Sequence, residues 1–592
     1  MPRNTQTPTR GPRPEHGASE HFPVLVVGAG PVGLTLALEL EYHGVRTLLI
    51  ERNATGTRHP KMDITNGRSM ELYRRLGVAQ DLRKVAVPAE NPTVVSWVTE
   101  IGGPELTRFT YPGVTDRAAQ IRACTDGTLP LEPAMRVSQV VLEPTLKELI
   151  DSRAERVELR FGWALDSFSQ DANGVTATIR SSATGELRTI TADYLAGCDG
   201  AASVVRESLG IELEMLDLRR EIVREVGVRR MGWSVLHSLL TRHEKPVDGR
   251  FFMVHFTSED KELFQRTGPV WHIQSPDGWT VISQNDDGVL TMHAPLRVGQ
   301  DPETIDPREF LFENLGRRFE CEILLANMWT PRVALAHRYG HGRVWLAGDA
   351  VHQVPPTGGY GMNTGVGDAV GLGWSLAAMV NGWGGPALLQ AYEIERRAVA
   401  RRNRAAAVRH SAVRIAIKTF YPGPARRDRW NGDLRRHELG RAITDLGNLE
   451  NEALGIEMGY RYSDSPIVCA ETGAQPPQRI ESYTPTTWPG SRPPAVHLAD
   501  GAAIFDLFGR DFTLLRFTDT DVTALVEAAA RHHVPLEVVD IRDETAHRLY
   551  ERDLVLIRPD QHVAWRANTV PVTPSRVIET VSGLGGALVD QK

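Results

Sequence analysis

The chain has 592 residues, 41% hydrophobic and 24% charged, with a formal net charge of -7. That size suggests about three or four domains, and the acidic balance argues against general nucleic-acid binding. The four cysteines (Cys124, Cys198, Cys321, Cys469) lie far apart with no CxxC, so zinc ligation and a redox dithiol are unsupported and a reducing cytoplasm fits best.

Residues 1–20 are rich in Pro, Arg, Thr and Gly and lack an apolar core, so they read as a disordered lead-in and not as a signal peptide or anchor. No stretch reaches the roughly 18 uninterrupted apolar residues of a membrane span. The run Val24-Leu-Val-Val27 then predicts a buried parallel strand. Gly28-Ala-Gly30-Pro31-Val32-Gly33 follows, then a helix ended by Gly44, a second strand from Val45 to Ile50, and Glu51. Gly28 allows a tight turn, Gly30 lets a pyrophosphate approach the backbone, and Gly33 lets helix and strand pack closely. Glu51 is placed to bond a ribose hydroxyl. This βαβ context predicts a dinucleotide site, without deciding between NAD and FAD.

A polar loop carries Arg52, Arg58, Lys61 and Asp63, and Gly67 to Gly77 reads as a helix. Residues 88–135 read as strands and long loops. Val137 to Ile150 predicts a helix, with Pro144 as a kink or a start. Val157 to Phe161, Gly174 to Ile179 and Leu187 to Ala192 read as strands. A further strand ends in Cys198-Asp199-Gly200, and a helix follows from Ser203. Residues 211–330 change character: Arg250 to Phe256, Val270 to Gln274, Trp279 to Ser283 and Val289 to His293 alternate as antiparallel strands do. Such a sheet is a natural roof for a substrate pocket. Trp233, Phe252, Trp271, His272, Gln274 and Trp279 are its wall candidates, though a shift of one residue exchanges the faces.

Arg343 to Ala347 is again a strand, followed by the turn Gly348-Asp349-Ala350-Val-His352 and by Pro355-Pro356-Thr-Gly358-Gly359-Tyr-Gly361-Met362-Asn363, which leads into a long helix from Thr364. Bare glycine amides at a helix start can bind an anion or a polarised carbonyl. Ala387 to Lys418 continues helical, and its arginines, interleaved with Glu393 and Glu395, read as a solvated or interdomain face. Arg479 to Arg492 reads as a linker. From about Ala495 a compact α/β unit of thioredoxin-like order begins, with no cysteine in it.

Three separated motifs coincide: Gly28-x-Gly30-x-x-Gly33 with Glu51; Cys198-Asp199-Gly200 with Ser203 and Arg206; and Ala347-Gly348-Asp349-Ala350-x-His352 with Pro355-Pro356. Together they resemble the class A flavoprotein monooxygenases, the single-component FAD-dependent aromatic hydroxylases, over about residues 22–410. The tail, with Ser465-Pro-Ile-Val468, Arg558-Pro559-Asp560 and Trp565-Arg566, looks like the phenol hydroxylase branch. The resemblance implies an α/β fold. Its parts are a discontinuous FAD-binding Rossmann-like domain of glutathione-reductase type (21–210 and 331–410), an inserted antiparallel-sheet substrate domain (211–330), a helical bridge and linker (411–490), and a thioredoxin-like domain without CxxC (491–592).

The same resemblance implies roles. Gly28, Gly30 and Gly33, with Pro31 and Val32, hold the FAD pyrophosphate; Glu51 binds the adenosine ribose, and Arg52 lies near the adenine. Gln139 contacts the flavin. Gly348 and Asp349 serve the ribityl and pyrophosphate side, and Pro356, Gly359, Gly361, Met362 and Asn363 run along the isoalloxazine ring. Asp199 serves FAD and a transient NADPH or NADH together. No second GxGxxG houses a nicotinamide, so that donor rests on the resemblance alone. The implied reaction is hydroxylation of a phenolic or electron-rich aromatic, possible natural-product or polyketide rings included, with O2 as co-substrate and a flavin C4a-hydroperoxide as oxidant. The alternatives are an epoxidase, a Baeyer–Villiger-type oxygenase or a dehydrogenase on the same scaffold. Asp63 is the candidate base for the substrate hydroxyl; the competing role is a helix cap or a pair with Arg68. Arg58, Lys61 and His352 are weaker candidates, and His352 reads as structural. The expected partner is a small aromatic molecule, with no membrane, no nucleic acid and no metal; a homo-oligomer stays open.

Overall fold

The computed structural model describes residues 20–60, 62–218, 220–221, 247–420 and 432–585. Among these, no helix is long and apolar enough to cross a membrane. Trp233 and Lys61, both named above as candidates, lie outside the described residues.

The chain folds as mixed α/β. Glu20–Val27 is the central strand of the first sheet, paired in parallel with Thr47–Glu51 on one side and with Leu187–Gly197 on the other. Val157–Phe161 extends one edge, and Val344–Leu346 joins beyond Leu187–Gly197, also in parallel. Parallel strands need crossovers, and the first is the helix Pro31–Tyr42, whose proline occupies the first turn where no amide partner is lost. Two close approaches need glycine. A Cβ on Gly33 would stand 1.9 Å from the Gly28 carbonyl oxygen, and one on Gly28, whose φ is +103°, would stand 2.5 Å from the Cys198 carbonyl oxygen. These contacts press the first helix onto two strands and leave its amino end facing outward. Tyr360–Val380 packs along that helix, buried through most of its 21 residues.

A second, seven-stranded sheet stands over the first. Its order is Glu322–Trp329, Val247–Thr257, Val289–Arg297, Thr280–Ser283, His272–Gln274, Thr93–Val98 and Glu105–Tyr111. This corrects the domain boundary read from sequence. Two of the seven strands come from residues 93–111, inside the range assigned to the nucleotide domain, and Thr93–Val98 pairs with His272–Gln274 in parallel, so the sheet is not purely antiparallel. Thr93–Val98 is buried along nearly its whole length, so it lacks the alternation that marked the other strands.

Two further readings are corrected. Ala387–Phe420 is one continuous helix of 34 residues that runs through the proposed boundary at 410. Of the two roles read for its arginines, a solvated or an interdomain face, Arg396 and Arg402 take the joining one: Arg396 bonds Asp368 at 2.8 Å and Arg402 bonds the Gly455 and Ile456 carbonyls. Residues 479–492 have almost no regular structure, yet they are packed and not a free linker. Arg492 is fully buried and forms a two-pronged ion pair with Glu71.

The C-terminal sheet has the order Leu536–Asp540, Phe512–Arg516, Leu554–Ile557, Val563–Ala567, flanked by helices Thr523–Arg531, Glu544–Tyr550 and Pro574–Val581. Buried ion pairs fasten it. Arg558 pairs with Glu395 of the long helix at 2.6 and 2.8 Å and with Asp560 at 2.7 Å. Arg68 donates to the Asp560 carbonyl at 2.8 Å and pairs with Glu71 at 3.0 Å. Replacing one partner of a buried pair strands the other charge, at a cost of about 3–5 kcal/mol. Arg558→Met leaves Glu395 and Asp560 without the guanidinium that joins them, so chemical denaturation will show a loss of about that size; unchanged stability would show that the pairs do not hold the unit.

Candidate active site

The carboxyl ends of the first sheet and the underside of the second enclose one cavity of about 1880 Å³. This exceeds the few hundred to about 1,000 Å³ of an ordinary small-molecule pocket, and leaves room for a dinucleotide and a second ligand together.

One arm of the cavity follows the glycine turn. Gly28, Gly30, Pro31 and Val32 line it, with Glu51 and Arg52 at one end and Asp199 and Asp349 along it. Gly33 and Gly348 are not in the wall; they act by letting backbones meet, since a Cβ on Gly348 would strike Val32 at 2.9 Å. The Glu51 carboxylate accepts from the Ala29 amide at 2.9 Å and from the amide and side chain of Asn53 at 2.9 and 2.6 Å, which fixes it beside the turn. The Asp199 carboxylate accepts from the Ser203 hydroxyl at 2.5 Å and the Val205 amide at 3.1 Å. Gln139 lines the cavity and donates to Glu143 at 2.6 Å. The helix Pro31–Tyr42 starts at Gly30 with no side-chain cap, so its first amides open on the cavity. A second helix of 21 residues, Tyr360–Val380, also starts uncapped at Gly359, whose φ is +63°. Pro356, Gly359, Gly361, Met362 and Asn363 line the cavity there. Two uncapped helix starts facing one elongated cavity, with carboxylates between, suit FAD: bare amides for the pyrophosphate, carboxylates for ribose and ribityl hydroxyls, and a second set of amides for an anionic ring edge.

His352 lies away from this wall. It is buried and meets Asp368 at 2.8 Å, and Asp368 also accepts from the Gly348 amide and from Arg396. Arg58 and His59 line the cavity, and His59 meets Asn327 at 3.1 Å.

Asp63 lines the same cavity near the start of the helix Tyr360–Val380, where the Asn363 side-chain amide donates to the Ile64 carbonyl at 3.1 Å. A two-residue ladder pairs Ile64–Thr65 with Met135–Arg136, the Val137 amide bonds the Asp63 carbonyl at 2.8 Å, and the Gln139 amide bonds the Met62 carbonyl at 3.0 Å. This short ladder brings Asp63, Arg136 and Gln139 together. Asp63 neither caps the next helix nor pairs with Arg68. Asn66 caps it by accepting from the Ser69 amide, and Arg68 pairs with Glu71. The Asp63 carboxylate instead accepts from the Trp271 indole N–H. Burial pushes the Asp63 carboxyl up to about 6; Arg136 and the Trp271 bond pull the other way, and Asp286 adds to the rise. Arg136 is held in turn by Asp286, at 2.9 Å twice, and by the Ser283 carbonyl at 2.7 Å.

The roof presents one row of side chains across six strands. Paired registers align Asn327, Met253, His293, Thr280, Gln274 and Trp97, and all six line the cavity. Five strand spacings of about 4.8 Å make that row roughly 24 Å long. His272 and Gln274 therefore lie on the cavity side, and Trp271, just before their strand, also lines the cavity. Phe252 does not: it is one residue out of register with Phe251 and Met253, which face the cavity, and it packs against Phe310 on the other side. Trp279 is likewise buried on that far side. The inward set was not separable from the outward one in sequence because both faces of this sheet are covered.

Arg136, His293 and Glu457 are among the cavity residues that went unread in sequence. Arg136 sits within the Arg136-Val-Ser-Gln139 run and was legible by position. His293 was seen only as part of a strand. Glu457, from the polar bridge, lines the cavity next to Asn66; burial pushes its carboxyl up to about 7, against the Gly67 amide and Arg117. Nothing in its local sequence marks it.

Comparison with known proteins places this geometry. Residues 21–407 match the family described as FAD binding domain, and residues 486–584 match the family described as aromatic-ring hydroxylase, C-terminal. The FAD-dependent monooxygenase apdD of Emericella nidulans is 36% identical, covering 95% of this chain and 90% of its own. The 4-methyl-5-nitrocatechol 5-monooxygenase of a Burkholderia species is 29% identical over 94% of this chain and 96% of its own. Among solved structures, the rebeccamycin biosynthetic enzyme RebC with reduced flavin superposes with a TM-score of 0.81 at 32% identity, covering 96% of this chain and all of that one. The flavin-dependent monooxygenase PieE, in complex with FAD and substrate, gives 0.81 at 28% identity, with 96% and 99% coverage.

The glycine contacts give a direct test. Gly33→Ala sets a methyl group 1.9 Å from the Gly28 carbonyl oxygen. The variant will lose most of its bound flavin, read as visible absorbance per protein; a fully yellow Gly33→Ala protein would show that the cofactor does not depend on this approach.

Proposed function

The chain belongs to the FAD-dependent aromatic-ring hydroxylases, single-component monooxygenases, and on that premise we propose that it inserts one oxygen atom into a phenolic or other electron-rich ring, with Asp63 as the base for the substrate hydroxyl. The observation that carries this reading is the Asp63 carboxyl: buried at the ring end of the cavity, fixed by Trp271, and raised to about 6. The activities of relatives, a phenol 2-monooxygenase and a nitrocatechol monooxygenase among them, support a phenolic substrate.

FAD, when bound, would accept two electrons from NADPH or NADH and use them to activate O2. Gly28, Gly30, Pro31, Val32 and Gly33 would hold its pyrophosphate, Glu51 and Arg52 its adenosine end, and Asp199, Gly348 and Asp349 its middle. Gln139 and the segment from Pro356 to Asn363 would hold its ring. The chain's own residues do the rest. The amides at the start of the helix Tyr360–Val380 favour negative charge beside them. Asp63 is mainly ionised at neutral pH and takes the hydroxyl proton, because a phenolate ring is a better nucleophile than a phenol. Trp271 keeps one carboxylate oxygen in place, and Arg136 keeps the carboxyl from rising further. The roof sheet excludes water. We also assign residues 491–592 to a thioredoxin-like domain without CxxC, supported by its sheet order and flanking helices. The FAD domain would then be 21–210 and 331–410, less the two strands lent to the roof.

The sign of the pH dependence follows from the raised carboxyl. The base form is lost as pH falls through about 6, so kcat will show an ascending limb near that value. Asp63→Asn will keep its FAD, lose about a hundredfold or more in hydroxylation, and lose that limb. Trp271→Phe removes a bond that lowers the pKa, so its limb will move to higher pH. The measurement is NADPH consumption together with product mass. Undiminished hydroxylation by Asp63→Asn would overturn the assignment of the base, and NADPH oxidation without oxygen gain in the product would overturn the oxygenase reading itself.

A further inference from the structure

One polar side chain of the roof has no part in the chemistry above. His293 sits in the strand Val289–Arg297, opposite Met253 on one side and Thr280 on the other, and faces the cavity with part of its surface open. The Trp329 indole donates its N–H to His293 Nδ1 at 3.1 Å, and the two rings meet edge to face with centroids 5.6 Å apart. Phe251 stacks on Trp329 at 5.0 Å, so the indole is itself wedged.

An imidazole that accepts at Nδ1 carries its proton on Nε2 while it is neutral. Burial, with Arg414 and His255 nearby, pushes this ring down to about 4, so it is neutral at working pH. The only donor His293 can offer is therefore Nε2–H, and among the described residues that atom has no partner. A fixed donor in a largely apolar wall discriminates: a ligand that covers it without an acceptor leaves it unpaired.

We propose that His293 is a substrate-orienting residue whose Nε2–H binds an oxygen acceptor, a carbonyl or ether oxygen, at the end of the aromatic substrate remote from the hydroxyl that Asp63 deprotonates. The inference rests on the reading of Asp63 as base only for which end of the substrate is which. The strand of His293 and the strand that follows Trp271 are two spacings apart, about 10 Å. That span suits a molecule of at least two fused rings with oxygen at both ends. Acceptor and hydroxyl then fix the ring in one direction under the roof, which sets the carbon that is oxidised.

The test uses FAD-loaded protein and two probes of nearly equal shape, 6-acetyl-2-naphthol and 6-isopropyl-2-naphthol, titrated anaerobically against the flavin spectrum. Wild-type protein will bind the acetyl probe about fivefold tighter, the worth of one neutral hydrogen bond. His293→Phe will bring the ratio close to one by weakening the acetyl probe alone, and His293→Gln, which still offers an N–H, will restore part of it. Trp329→Phe, which releases Nδ1, will lower the ratio without changing the isopropyl affinity. Flavin content checks that each variant is folded. A wild-type ratio near one, an undiminished ratio in His293→Phe, or failure of both probes to bind would overturn the proposal. A protein that shows the ratio and its loss but adds no oxygen would refute the oxygenase reading and leave the His293 assignment standing.

Discussion

A single buried carboxylate joins the parts of this molecule. Asp368 lies inside the long helix Tyr360–Val380, fully buried, and accepts from three directions: the Gly348 amide at 3.1 Å, His352 at 2.8 Å and Arg396 at 2.8 Å. His352 and Arg396 hold its carboxyl below the usual carboxylate range despite the burial. An unpaired charge at that depth would be prohibitive, so the three donors have to be where they are. That demand sets the turn Gly348-Asp349 against the helix, and through it against Val32 of the glycine turn. It also ties the helix Ala387–Phe420 to the same point, because Arg396 belongs to it and donates as well to the Thr364 carbonyl and the Tyr462 hydroxyl. Two distant stretches of sequence are thereby brought to opposite walls of one cavity.

The site divides its labour between rigid frames. The first sheet presents backbone amides and fixed carboxylates, which suits a cofactor that is the same in every turnover. The roof presents side chains in a register ladder, which suits discrimination: a change at one position in the row alters one contact and leaves the rest. Asp63 belongs to neither sheet. It hangs from a two-residue ladder between them, and its carboxyl is balanced by Arg136 and Trp271, one brought by the strand before the helix Gln139–Arg153 and one by the roof. The charge state of Asp63 is thereby set by both frames.

What could be read from sequence follows the range of the forces involved. The glycine turn was legible because a Cβ at Gly33 or Gly28 would fall 1.9 or 2.5 Å from a carbonyl oxygen, which forbids any other residue there, and Glu51 and the Asp199 and Asp349 turns were legible from their spacing around it. Helices such as Gly67–Arg75 and the strands of the C-terminal unit were legible from local periodicity. Faces were not. Phe251 and Phe252 are chemically alike, and only the pairing of Phe251 with Trp329 and Pro295 decides which one meets the cavity. Thr93–Val98 hid its membership of the roof because both of its faces are covered. Glu457 and Arg492 were hidden because polar, proline-rich sequence looks like solvent-exposed linker, whereas their partners, the Gly67 amide and Glu71, lie hundreds of residues away.

The cysteine-free C-terminal unit finds a physical role in the same network. Glu71 sits in the helix Gly67–Arg75, whose amino-terminal cap is Asn66, and the Asn66 amide donates to the Asn363 side chain at 2.9 Å. Three residues before that cap is Asp63. Arg492 grips Glu71 from the packed strap, while Arg68 of the same helix reaches Gln561 and the Asp560 carbonyl in the C-terminal unit. Arg558 closes the loop by gripping Glu395, one residue before Arg396 and hence one residue from Asp368's own partner. The tail thus holds, through two chains of buried ion pairs, both the helix that follows Asp63 and the helix whose Arg396 grips Asp368 behind the Gly348 turn. Ion pairs at this depth add little net stability over an apolar core but tolerate no sliding. They link Asp63 and the amides at the start of the helix Tyr360–Val380 to one buried network.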